Sequence, residues 1–457
     1  MAINPTLATA PADTLAERTR RRITMRLAPF LFVLYILNYL DRVNISFASL
    51  QMTGELHFSN SVFGFGAGIF FIGYFLLQVP AAMLVETWSA RTFIGVSLII
   101  WGALATTTGF ISNAQQFYWI RFLLGVAEAG FFPGVIVYLT HWYRYEDRGK
   151  AVAMFMAAIP ASNMLSAAIA SFLIKITWFG YAGWRWLLIL EGLPAVIAGV
   201  VTFFYLTDWP RDAKSLADDE RQWITGALDQ ERQTKKRRQT VTAWQALSHP
   251  QVIVFSLIYF CYITNSTGLG TWLPKIVQRI SGLSQTQVIL ISGIPWLCAI
   301  PAMLFMASHS DRTGERRWHS AIPLFVVGIA LWLSIAAGNH LVFAIAAFAV
   351  ATMALYSFPS PFWVLPTIFL SGPAAAASIA LINSAGNLGG FAGPYIIGYL
   401  ADKTGSYTGG LLYLVACGLV GSALVLTLRT SHSQTGPRVE VPQTPLARPE
   451  AVSGQRS

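Results

Sequence analysis

LAPFLFVLYILNYLDRVNISFASL, residues 27 to 50, is an apolar run of 24 residues in which only Asp41 and Arg42 carry charge. As a helix it rises about 36 Å at 1.5 Å per residue, enough to cross the roughly 30 Å hydrocarbon core of a bilayer. Eleven further apolar runs follow, near 61 to 83, 91 to 111, 116 to 139, 150 to 175, 184 to 207, 251 to 273, 284 to 307, 319 to 338, 341 to 365, 373 to 400 and 408 to 428. Twelve spans predict an all-α polytopic membrane protein, with the run Ser357, Phe358, Pro359, Ser360, Pro361 breaking the tenth helix. Composition agrees, since 54% of the 457 residues are apolar and 11% charged, against about a quarter charged in soluble domains. A disordered, collagen-like or disulfide-stapled chain is excluded. Cys261, Cys298 and Cys417 all lie inside apolar runs, with no CxxC or Cys/His spacing, and read as small core residues.

The net charge of +10 is absorbed by topology. With both termini inside, 24 of the 31 Lys and Arg fall in cytoplasmic segments, five outside, and Arg42 and Arg121 within spans. This is the positive-inside pattern, so no nucleic-acid partner is needed; the partner of the surface is the lipid bilayer. Arg20, Arg21 and Arg22 precede a span too long for a signal h-region, and no cleaved signal peptide is expected. The expected organisation is a cytoplasmic tail over 1–26, a six-helix half over 27–207, a cytoplasmic linker over 208–250, a second six-helix half over 251–428 and a cytoplasmic tail over 429–457.

Within the linker, Ser215 and Asp218 resemble a capping box. Leu216, Trp223, Ile224, Ala227 and Leu228 follow at helical spacing, which predicts an amphipathic helix on the inner membrane surface. The run Lys235, Lys236, Arg237, Arg238 reads as a lipid-facing anchor. The halves repeat: Glu86 and Arg91 follow the second span and Asp311 and Arg316 the eighth, and the same offset of 225 carries spans one, four and five onto seven, ten and eleven.

Ionisable groups inside a bilayer cost about 2.5 to 3.5 kcal/mol each, so each calls for a partner or a function. Asp41 and Arg42 lie in the first span, Arg121 and Glu128 in the fourth. Arg121 and Glu128, seven residues apart, share a face, with Gly125 between them to clear room for a substrate group. Tyr35, Asn38, Tyr39, Arg42 and Ser46 form a polar stripe, with Asp41 on its flank. Buried arginines suit a carboxylate ligand and buried acids can carry protons, which together describe proton-linked binding of an anion; the alternative is a set of structural ion pairs. The offset leaves no charge at the corresponding second-half positions, Ser266, Thr267, Ala346 and Met353. All seven histidines fall in loops or at span ends, which excludes an intramembrane histidine relay. Glu191 is expected to pair with Arg185. The second half offers Asn265, Ser357, Ser360, Asn383 and Asn387, the last two on one face beside Gly386, Gly389, Gly390 and Gly393.

These residues resemble the major facilitator superfamily from about Arg26 to Arg429. Ser310 to Arg317 is similar to its gate motif; the first-half copy has Glu86 for the usual aspartate and Ala90 for the usual glycine. NYLDRVN at 38–44, RFLLGVAEAGFFPG at 121–134, GWRWLLILEGLPA at 183–195 and NSAGNLGG at 383–390 resemble the anion:cation symporter family, which includes tartrate, sugar-acid and aromatic-acid permeases. The resemblance implies that Arg42, Tyr74, Arg121 and Asn387 bind substrate, while Asp41 and Glu128 carry protons. Tyr39 and Asn383 join the candidate binding set, and Asp311, Arg312, Arg316, Glu86 and Arg91 the candidate gates. The fifth span contains no glycine from Ala151 to Lys175 and so lacks the Gly-rich motif of the superfamily's antiporters, which favours symport.

The expected function is proton-coupled uptake of a small organic carboxylate by alternating access between the two halves. Asparagines and serines favour a tartrate or sugar acid, whereas Trp272, Tyr356, Phe362 and Trp363 would line an aromatic-acid pocket; an anion exchanger of the same fold is a further alternative. A membrane enzyme would need HExxH, GxSxG or a Cys/His cluster, none of which occurs. A non-transporting nutrient sensor is the rival from another class. No cofactor or metal is expected, and the carrier is expected to be a monomer in the cell's inner (plasma) membrane.

Overall fold

The structure, a computed structural model, describes residues 12–235, 250–369 and 373–428. Residues 1–11 of the expected N-terminal tail, the expected C-terminal tail over 429–457, and Lys236, Arg237 and Arg238 of the basic run lie outside them. The described chain is helical: α1 Ala12–Glu55, α2 Asn60–Thr87, α3 Ala90–Thr108, α4 Ala114–Glu128, α5 Phe131–Trp142, α6 Tyr145–Met156, α7 Ala158–Leu173, α8 Gly183–Tyr205 and α9 Asp218–Lys235. The second half continues with α10 Pro250–Ser281, α11 Gln285–Thr313, α12 Arg317–Ala336, α13 Leu341–Ser357, α14 Pro359–Phe369, α15 Pro373–Asn387, α16 Gly389–Thr404 and α17 Thr408–Thr427. Among the described residues, eleven helical stretches are long and apolar enough to cross a membrane. The twelfth expected span is the pair α15–α16, whose pieces of 15 and 16 residues meet at Leu388.

Three spans are divided where a proline four residues on denies the backbone carbonyl its N–H donor and crowds it. Pro133 follows the end of α4, Pro160 the end of α6 and Pro361 the end of α13. The break at Ser357–Phe358 was expected; those in the fourth and fifth spans were not. Leu388 has no such proline and lies between glycines instead. A Cβ on Gly389 would sit 2.4 Å from the Phe260 carbonyl oxygen, so α16 begins where its backbone presses on α10.

The repeat reappears in packing. A Cβ on Gly102 of α3 would lie 2.9 Å from the Gly192 carbonyl of α8, and one on Gly418 of α17 would lie 3.1 Å from the Gly328 nitrogen of α12. The second pair stands 226 residues beyond the first at both positions. In lipid, where apolar surface gives no drive for helices to associate, such backbone-to-backbone contact through small residues is the main source of cohesion.

The halves meet most closely at the end of the bundle carrying residues 56–59, here the far end; the opposite, linker end carries α9. At the far end Asp402 of α16 caps α2 from the other half, accepting from the backbone N–H of Asn60 at 3.0 Å and of Ser61 at 2.7 Å, and from Asn60 Nδ2 at 2.9 Å. Tyr407 donates to Asn60 Oδ1 at 3.1 Å and Gln51 to Gln285 at 2.8 Å. At mid-depth Asn163 donates to the Tyr356 hydroxyl at 2.9 Å.

The amphipathic linker helix exists but docks on protein. Leu216, Ile224 and Leu228 of its apolar face are buried in the same core as Ile23, Leu27 and Trp142, with Trp223 packed against it. Its cap is Ala217, not Ser215: the Ala217 N–H donates to Glu220 at 2.9 Å, and buried Glu220 also takes Arg18 at 3.0 Å and Arg22 at 2.6 Å. Two arginines of α1 thus fasten α9, because α1 runs on as one helix of 44 residues well beyond bilayer depth.

Gly192→Val, which forces a branched side chain against Gly102, is expected to cost about 1–3 kcal/mol and lower the thermal midpoint in detergent. Gly54→Ala, with nothing within 4 Å of its added carbon, should not lower the midpoint in the same assay, and alanine's helix propensity acts to raise it.

Candidate substrate site

The polar stripe of α1 turns toward α4. Glu128, at 0% exposure, accepts from Arg42 Nε and from Asn38 Nδ2, both at 2.9 Å on the same oxygen, Oε2. Its other oxygen has no hydrogen-bond partner. Arg42 keeps 20% of its side chain exposed and lies among three rings, 5.6 Å from Tyr39, 5.4 Å from Phe70 and 5.0 Å from Tyr74. Arg121 approaches Phe70 as well, at 5.0 Å. One phenyl ring of α2 thus serves both guanidinium groups, whose mutual repulsion the ring quadrupole offsets.

The two cations differ in charge balance. Arg42 is joined to Glu128, whereas no salt bridge joins Arg121 to a described acid, its Nε lacks a partner, and the residue is 3% exposed. Asp41, at 1% exposure, faces away from Arg42; Asn44 donates to its Oδ1 at 3.5 Å and Oδ2 is unpartnered. Asp41, Asn44 and Arg121 line a cavity of about 10 Å³ with Thr108, Leu124 and Leu188, room for about one water molecule.

Several expectations change. Gly125 clears space for α2, not for a ligand: a Cβ there would lie 1.9 Å from the Phe70 carbonyl oxygen. Ser46 leaves the stripe by donating to the Val43 carbonyl at 2.7 Å, and Tyr35 is buried in a stack on Phe155 at 4.1 Å. Arg185 is taken by Glu55 at 2.9 Å and by the carbonyls of Gly109 and Ile111 at 3.0 and 2.9 Å, so it does not pair with Glu191. Both oxygens of Glu191 are buried without a partner.

In the second half Asn383 and Asn387 are half-buried on α15, the element that ends at the Leu388 break. Gly386 brings α15 against Tyr259, and Gly390 sets α16 against Phe71 of the first half. Tyr259 stacks on Phe362 at 5.6 Å and meets Trp363 edge-on at 4.9 Å. Trp272 does not belong to a pocket: it is fully buried, donates to the Pro394 carbonyl at 3.0 Å and meets Phe63 at 5.4 Å in the far-end closure. Asn265 donates within its own helix to Cys261.

The gate candidates lie at the linker end. Arg316 bridges to Asp311 at 2.8 Å and donates to Ser310 at 2.9 Å, around the left-handed Gly314 (φ 67°) that ends α11; Arg312 is exposed. Arg91 takes Asp208 as its acid, through its backbone N–H at 2.9 Å and its Nε at 3.8 Å. The Glu86 side chain lies outside the described residues. Sequence reasoning missed Asp208, which no motif spacing marks, and Phe70, an ordinary apolar residue by composition.

A helical bundle of two like halves, with charge buried in one of them, is the architecture of a secondary transporter. The chain belongs to the Major Facilitator Superfamily, whose family model matches residues 31–394; it is a multi-pass membrane transporter. Two Agrobacterium vitis proteins named as tartrate transporters are each 44% identical to it, covering 93% and 92% of this chain and 98% and 93% of their own. A quinolone resistance transporter of Acinetobacter baumannii is 37% identical over 89% of this chain and 93% of its own. In fold the chain is similar to the crystal structure of a bacterial homologue of the human lysosomal transporter Spinster, with TM-score 0.73, 16% identity, and coverage of 91% of this chain and 99% of that one.

Arg42→Ala strands the Glu128 carboxylate without its cation, at an expected cost of about 3–5 kcal/mol. Arg42→Ala with Glu128→Gln should recover most of the lost thermal midpoint; a double variant no more stable than the single one would show that the pair does not act as a unit.

Proposed function

We propose that this protein is a proton-coupled symporter that takes up a small organic carboxylate of the tartrate or sugar-acid type. The observation that carries the reading is the imbalance at Phe70: two guanidinium groups share the ring, and among the described residues only that of Arg42 is salt-bridged to an acid. A ligand carboxylate supplies the missing charge for Arg121, and the planar fork of arginine suits it. Protonating Glu128 releases Arg42 to the same ligand, so proton and anion favour each other's binding reciprocally. Asp41, beside Arg121, is the second coupling acid. Tyr39, Tyr74, Asn383 and Asn387 contribute hydrogen bonds that fix the ligand's hydroxyl groups. The identity to proteins named as tartrate transporters supports this substrate class.

A second reading, an aromatic-acid permease, is favoured by the partly exposed Trp363 and Tyr356 of the second half. Competition of labelled tartrate uptake by benzoate and by glucarate separates the two. By the positive-inside rule the linker end and both termini are cytoplasmic, the membrane is the bacterial inner membrane, and the far-end clasp closes the outside. Alternation then opens that clasp as the Asp311–Arg316 and Arg91–Asp208 ends draw together.

Arg121→Lys keeps the charge and loses the fork, so substrate affinity by calorimetry is expected to fall at least tenfold, about 1.4 kcal/mol; near-normal affinity would remove Arg121 from the clamp. Glu128→Gln, unable to release a proton, should sustain counterflow of labelled substrate in proteoliposomes yet fail to accumulate it under a pH gradient. Full gradient-driven accumulation by that variant would exclude Glu128 as the coupling acid.

A further inference from the structure

Glu191 is a buried acid the scheme above leaves unused. It is 2% exposed on α8, and neither carboxylate oxygen has a hydrogen-bond partner. The helices packed against α8 are α3, α1 and α7. From α3 the only charged residue is Arg91, at the linker end and engaged with Asp208; α7 carries no ionisable residue. On α8 itself Arg185 is engaged with Glu55. From α1 the groups that face Glu191 are Asn44, which lies against its carboxyl, and Asp41, within electrostatic reach behind Asn44. Arg42, next in sequence, turns to Glu128.

Asn44 thus stands between two carboxyl groups, donating to Asp41 and adjoining Glu191. The unpartnered Oδ2 of Asp41 opens on the small cavity shared with Arg121, and Leu188 of α8, one turn before Glu191, forms its opposite wall. Two ionised carboxylates at this depth, with one guanidinium beside only the first of them, would leave uncompensated negative charge in the apolar interior. That cost is met by holding a proton.

We propose that Glu191 is a third proton-binding site of the carrier, filled and emptied through Asp41. In loading, the O–H bond of a protonated Asp41 breaks, the proton passes along the Asn44 side and forms an O–H bond on the Glu191 carboxylate, and Asp41, left ionised, takes a further proton before the anion seats on Arg121. The reverse transfer returns the proton to Asp41 once the substrate has left Arg121 and Asp41 has given up its own. Glu191 lies behind α1, away from Arg42, so it sets how many protons move per anion without touching the anion. This rests on the proton-coupled reading, and a variant of Glu191 separates the two.

The test uses the full-length carrier in proteoliposomes at clamped membrane potential, with labelled tartrate as probe. The logarithm of the accumulation ratio is plotted against imposed pH difference. The slope of Glu191→Gln is expected to be one proton per anion lower than that of the wild type, with unchanged half-saturation for tartrate. An unchanged slope overturns the proposal while leaving coupling through Asp41 and Glu128 in place; a wild type with zero slope overturns both. A second measurement needs neither substrate nor the Gln variant: infrared pH-difference spectra of the wild type and Glu191→Asp. A carboxylic C=O band that shifts in Glu191→Asp is expected, and identical titrating bands in the two proteins overturn the assignment.

Discussion

The carboxylate of Glu128 is the charge around which the first half is arranged. It is fully buried at bilayer depth, and an ion there is tolerable only if matched by a countercharge and hydrogen bonds. Asn38 and Arg42, one turn apart on α1, supply both to a single oxygen. That requirement fixes the rotation of α1 against α4, and the rotation in turn places Asp41 on the opposite side, toward α8. Phe70 then sits between the guanidinium of Arg42 and that of Arg121. The glycine at 125 lets the backbone of α2 come close enough for that ring to serve both. The charges of the candidate site and the helix packing are thus set by the same few contacts.

The second half carries none of this charge and contributes shape. Its spans are broken at Ser357–Phe358 and Leu388, so α14 and α16 begin afresh, the second of them directly after the half-buried Asn383 and Asn387. Irregular backbone at membrane depth is tolerated where it is covered by protein or lines a polar path. On the proposed function, one half supplies fixed cations and exchangeable protons and the other neutral hydrogen-bonding groups, a division suited to a hydroxylated anion.

Much of this was legible in the sequence, and the limits follow from what periodicity encodes. Charges inside apolar runs stand out because lipid penalises them, so Asp41, Arg42, Arg121 and Glu128 could be picked from composition alone. The fold was legible for the same reason, and the repeat reappeared one residue off its sequence offset, as glycine contacts paired at 226. Periodicity assigns a side chain to a face of its own helix but does not say which helix comes opposite. For that reason Gly125 was given to a ligand when it belongs to α2, Arg185 was given to Glu191 when Glu55 holds it, and the apolar face of α9 was given to lipid when α1 covers it. Proline was ambiguous in the same way: Pro133 and Pro160 end helices, while Pro80 and Pro194 are carried within them, because neighbouring contacts decide whether a freed carbonyl is satisfied.

The Asp402 clasp has a bearing on how such a carrier can be tuned. One partner is the N-terminus of α2, whose N–H groups and dipole belong to the backbone and persist under any side-chain change; the other is a single carboxylate. On the proposed alternating access, the resting ratio of the two orientations has a set-point adjustable at one residue, Asp402, distant from the candidate site. Evolution can shift it between relatives while the recognition chemistry stays constant, and an engineer can use the same position as a handle for trapping the protein in a chosen orientation.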